Sequence, residues 1–112
     1  MIQVTVARNG KGEYRSLEVK GHAGFDKKGR DIVCAAVSML VINTINAMEE
    51  FTETCPVIQE QSGLIKAEFE QAPDEKAELL LNAMMLGIRG AAEEYGKQYI
   101  TVSEKEVTDA SL

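Results

Sequence analysis

Between Ile32 and Ile42, Ser38 is the one polar residue in a run of eleven. A helix that is apolar nearly all round has to be covered nearly all round, so this segment reads as a buried helix. Eleven residues are too few to cross a bilayer, which needs about 20. In a chain of 112 residues, the length of one domain, such a helix belongs to the single core. Asp31 precedes the run as the predicted cap. The helix carries on to about Phe51, with polarity returning at Asn43, Thr44, Asn46, Glu49 and Glu50.

The rest of the chain supplies what can cover that helix. Ile2, Val4 and Val6 share one face of a predicted strand, Asn9-Gly10 signals a hairpin, and Leu17 and Val19 continue on a second strand. The segment from Gly21 to Arg30 reads as a loop, with glycines at 21, 24 and 29. Past Cys55-Pro56, residues 57–60 and 64–70 read as strands around Gln61-Ser62-Gly63. Pro73, Asp74 and Glu75 make a helix start, because proline presets φ and the acids face the positive end of the dipole. Ala77, Leu80, Met84, Ile88, Ala91 and Tyr95 then recur at helical spacing, Gly96 fits the stop, and residues 99–102 form a last short strand. The order ββαββαβ predicts an α+β fold. It is a compact single-domain sandwich of two long helices on a mostly antiparallel sheet. The domain is expected over residues 1–103, with 104–112 a polar tail that frays.

Twelve Lys plus Arg against eighteen Asp plus Glu give a net charge of −6. That balance argues against direct binding of nucleic acid, which rests on cations neutralising phosphates. Residues 1–6 alternate apolar and polar, unlike a secretory leader, so the expected placement is cytoplasmic, with no membrane partner. Cys34 and Cys55 are there expected as reduced thiols. Their spacing matches no zinc pattern, and no metal or cofactor is expected.

Chemistry concentrates around Cys34. With Asp31 as cap, Cys34 takes the third helical position, where unpaired amides and the helix dipole favour an anion. The thiolate is the nucleophilic form of cysteine, and helix starts favour it. His22 is the sole histidine and stands where the second strand enters the glycine-rich segment. Ser38 lies one turn after Cys34 on the same helix face. Asp31 can cap the helix or orient His22. Each residue also has a plain structural reading: Cys34 as a small buried hydrophobe, His22 as a turn residue, Ser38 bonding its own helix, Asp31 as a cap. Lys27, Lys28 and Arg30 read as a solvated basic patch, and Cys55 as incidental. A metal site of His22, Cys34 and Asp31 fits no standard spacing.

Gly21-His22-Ala23, followed by Gly29-Arg30-Asp31-Ile32-Val33-Cys34-Ala35-Ala36-Val37-Ser38, resembles the signature of the ribosomal-processing cysteine protease family. Chain length, element order and acidic balance resemble that family across nearly the whole chain; after Phe51 the likeness rests on length and layout. The resemblance implies a small cytoplasmic homodimeric protease. Its substrate would be the N-terminal extension of large-subunit ribosomal protein twenty-seven. It places the catalytic pair at His22, the proton acceptor, and Cys34, the nucleophile. No third residue is required; on the residue reading, Asp31 or Ser38 can support the pair by orienting it. It makes the segment marked by Gly21, Gly24 and Gly29 a loop that closes over substrate. A basic substrate suits a chain of net charge −6 through steering. The competing reading is a non-catalytic ribosome-associated binding module in which His22 and Cys34 are structural. If the chain is a cysteine peptidase, His22 has no rival as its imidazole base.

Overall fold

The structure is a computed structural model; it describes residues 1–21 and 28–109, and for 28–31 the backbone only. Seven elements follow in the expected order. They are β1 (Ile2–Arg8), β2 (Tyr14–Lys20), α1 (Lys28–Phe51), β3 (Val57–Gln61), β4 (Leu64–Glu68), α2 (Glu75–Tyr95) and β5 (Ile100–Glu106). The five strands form one sheet in the order β3-β4-β2-β1-β5. β1–β2, β2–β4 and β3–β4 are antiparallel, and β1–β5 is parallel. The sheet is therefore mixed, with two helices packed on it.

Alternation along the strands decides which face the helices cover. Ile2, Val4, Val6, Leu17, Val19, Ile65 and Ala67 are buried, while Gln3, Lys20 and Glu68 reach solvent on the other side. Val33, Val37, Val41, Ile45 and Met48 of α1 and Ala77, Leu81, Met84, Met85 and Ile88 of α2 complete the core. The two helices meet at Gly87, where a Cβ would lie 3.3 Å from Leu40 Cδ1. Tyr14 reaches across the layers: its hydroxyl donates to Asn82 Oδ1 on α2 at 2.7 Å and accepts from Arg8 at 2.7 Å. Burial of the Tyr14 ring raises its pKa above the ordinary tyrosine value, the nearby Arg8 charge opposing.

Three boundaries differ from the sequence reading. First, α1 begins at Lys28, inside the predicted loop, and Gly29 is a helical residue. Once a helix has a nucleus, adding residues upstream is cheap, and Gly29 is a weak obstacle beside that gain. Second, β5 continues through 103–106, which the sequence reading assigned to the end of the domain and to a frayed tail. Beyond it, Val107 N–H donates to Arg8 C=O at 2.8 Å, and the Asp109 carboxylate accepts from Asn9 Nδ2 at 3.1 Å. Arg15 Nε faces the same carboxylate at 3.6 Å, an ion pair without hydrogen-bond geometry. Third, β4 ends at Glu68, although Phe69 N–H still donates to Arg15 C=O at 2.9 Å.

The helix length also revises the apolar-run argument. Ile32–Phe51 spans 20 residues at a mean hydropathy of 1.6, long and apolar enough to cross a membrane by length and composition. The core helix of a folded domain passes the same test, but α1 is not covered nearly all round as its composition predicted. Val33, Val37, Val41, Ile45 and Met48 form one buried stripe against the sheet and α2, while Ile32, Met39 and Ile42 are exposed.

Candidate active site

The site predicted from sequence lies where β2 ends and α1 begins. The exit from β2 is fixed by Gly21. Its φ is +89°, its amide donates to Gly63 C=O at 3.0 Å, and a Cβ there would overlap the Met1 carbonyl oxygen. Only glycine meets both conditions, so Gly21 is a fixed corner at the exit from β2. His22, Ala23 and Gly24 of that segment lie outside the described residues, as do residues 25–27 and the side chain of Asp31.

Cys34 is buried within the core cluster of α1, 7% exposed, and Ser38, one turn on, is half-buried. Neither Cys34 nor Cys55 forms a disulfide among the described residues. Cys34 is the seventh residue of α1 rather than the third. Two sequence-based readings change with that shift. Asp31 is an interior helical residue and not the cap. The unbonded amides of the helix start belong to residues 28–31, one turn before Cys34, so they are not the thiol's immediate neighbours. The dipole falls off within the first turn, so Cys34 lies beyond its strongest reach.

Cys55 stands apart from this arrangement. It is exposed, just beyond the end of α1, roughly 25 Å along the helix from Cys34. It lines a cavity of about 440 Å³ with Glu53, Thr54, Phe69, Glu70 and Asp74. Among the described residues, no group of three His, Cys, Asp or Glu side chains is placed to hold a metal. A feature that sequence reading passed over is a smaller cleft of about 210 Å³ between α1 and the edge strand β3, lined by Ile42, Ile45, Asn46, Glu49, Ile58, Glu60 and Ile65. Helical periodicity marks its α1 wall, but its β3 wall comes from a strand whose partner only the fold reveals.

Comparison with known proteins agrees with the fold. Residues 1–101 match the family described as cysteine protease Prp. A Bacillus subtilis protein named ribosomal processing cysteine protease Prp is 32% identical over 101 residues, covering 85% of this chain and 90% of that protein. A crystal structure of the Staphylococcus aureus protease Prp in complex with a substrate peptide superposes at a TM-score of 0.87. It is 27% identical and covers 94% of this chain and all of that one. The Streptococcus mutans protein SMU.848 superposes at 0.86 with 37% identity, over 96% of both chains.

Proposed function

Because the chain belongs to the cysteine protease Prp family, we propose that it removes the N-terminal extension of large-subunit ribosomal protein twenty-seven, with Cys34 as nucleophile and His22 as its base. The observation that carries this is a single thiol on the buried helix of a family fold, one strand-exit away from the sole histidine. A free thiol is only a few per cent ionised near neutral pH, and Cys34 sits beyond the first helical turn, so a base is required. His22 takes the Cys34 proton and the thiolate attacks the scissile carbonyl carbon. The tetrahedral intermediate collapses as protonated His22 gives its proton to the leaving amine. Water, deprotonated by His22, then attacks the thioester, releasing the acid and restoring the thiol.

Asp31 and Ser38 orient this pair. The closing loop that the sequence marks by Gly21, Gly24 and Gly29 is here confined to residues 22–27, outside the described residues, between the fixed corner at Gly21 and the start of α1 at Lys28. The enzyme acts in the cytoplasm as a homodimer. Exposed Ile32 and Met39 on α1 and Leu79 and Leu86 on α2 favour that assembly, since they leave the outer face of the helix layer apolar.

The direct test is the mass of ribosomal protein twenty-seven carrying its extension, before and after incubation with the purified chain. The expected result is loss of the extension with the natural chain and none with Cys34→Ala. Full cleavage by Cys34→Ala would overturn the assignment.

A further inference from the structure

We infer that the cleft between α1 and the open edge of β3 is a distal substrate subsite, which takes an extended stretch of peptide carrying an apolar side chain and basic ones. The inference rests on the protease reading and adds to it the place where substrate residues remote from the cut are held.

Three observations converge. Among the described residues, β3 is the terminal strand of the sheet, paired on one side only with β4, so its outer backbone can accept an added strand. Ile58 and Glu60 pair opposite Ala67 and Ile65, both buried, so they share the helix-side face of the sheet. There they line the cleft with Ile42, Ile45, Asn46, Glu49 and Ile65. Isoleucines thus line an apolar floor, and Glu49 and Glu60 put negative charge on it; both acids are exposed.

The cleft also runs toward the nucleophile. Cys34, Ser38, Ile42, Ile45 and Glu49 follow one another at intervals of four, four, three and four along α1, which is one helix face. Ile42 lies about 12 Å along the axis from Cys34, a distance that an extended peptide covers in about four residues. At the same end of the sheet, Gln61 of β3 pairs with Leu64, and Leu64 with Lys20, the residue before the Gly21 corner. A peptide lying along β3 is therefore led to the end of the sheet where β2 gives way to Gly21.

Charge selects the occupant. A second copy docked symmetrically would bring two further glutamates against Glu49 and Glu60, on a chain already at −6. A basic peptide would gain where the second copy loses.

The test uses two peptides from the processing junction of ribosomal protein twenty-seven, one with four residues on each side of the cut and one with ten. The natural chain should cleave the longer with the higher kcat/KM. That preference should fall about tenfold in the Glu49→Lys/Glu60→Lys double variant and by less in Glu49→Gln/Glu60→Gln. The ratio of the two rates isolates the subsite from damage to folding, which lowers both together, and circular dichroism confirms the fold. An unchanged ratio in the folded double variant would overturn the subsite alone. So would loss of a dimer with the ratio intact, which would make the cleft an interface. Cleavage of neither peptide by the natural chain would remove the protease reading and the subsite with it.

Discussion

Gly21 and Gly90 show how differently one residue type acts at two places. Gly21 is held at φ +89° against the Met1 carbonyl, whereas a Cβ at Gly90, inside α2, meets nothing within 4 Å. Gly21→Ala is therefore expected to lose about 1–3 kcal/mol from the strained backbone, with the steric overlap adding to it. Gly90→Ala is expected to gain about 0.5–1 kcal/mol, the helix propensity of alanine over glycine. Urea unfolding of both variants checks the pair; equal shifts of the midpoint would refute it. The sequence marked Gly21 through its place beside His22 and as the first of three loop glycines. The reason for glycine there, contact with the chain's first residue, is long-range and leaves no local pattern. Cys34 is the reverse case. The motif around it was legible from residue types and spacing, but its position in the helix was not. Asp31 is a good capping residue that the helix nevertheless passes through.

Among the elements, the join between the two helices is held by one carboxylate. Asp74 accepts from Ala77 N–H at 2.8 Å as the cap of α2 and from Glu53 N–H at 3.0 Å, just after α1. Its own amide donates to the Thr54 hydroxyl at 2.9 Å. The hydrogen bond from Ala77 lowers the Asp74 pKa below the ordinary 3.8, against desolvation, which raises it, and with the bond from Glu53 adding to the lowering. A carboxyl held more acidic in the fold stabilises it above the unfolded value, and that stabilisation is lost as pH falls through the folded one. The thermal midpoint should thus drop as pH is lowered from about 5 to about 3. Asp74→Asn should show a shallower drop, and an identical slope in both would refute the linkage. Pro73, Asp74 and Glu75 announced this helix start in the sequence, because capping is a contact three residues long. The Glu53 contact, twenty-one residues away, was not readable there.

For the whole molecule, charge and apolar surface point to different partners. The net charge of −6 suits the basic substrate proposed above, while the outer helix face exposes Met39 at 67% and Leu86 at 76%. If that face joins two copies, light scattering should give about twice the 12.3 kDa chain mass, and Leu86→Glu should return the monomer. A monomeric mass for the unsubstituted chain would overturn the homodimer. The edges of the sheet are also unequal. β5 is tied down by the Arg89–Glu104 ion pair at 3.0 Å and by the strap at Val107 and Asp109, while β3 is exposed along its whole length.

Residue order alone settled the number, kind and order of the elements, and a thiol and a lone histidine near each other in the chain. Those are consequences of periodicity, capping and turn chemistry, which act over a few residues. The cover that composition predicted nearly all round the first helix is in the fold confined to one stripe, with Ile32, Met39 and Ile42 exposed. The fold had to settle where α1 starts, that β5 runs parallel to β1 through residues 104–106, and that β3 lies at an open edge beside Ile42 and Glu49. These depend on partners as far apart as Arg8 and Glu106, whose pairing follows from how the sheet and helices bury one core together.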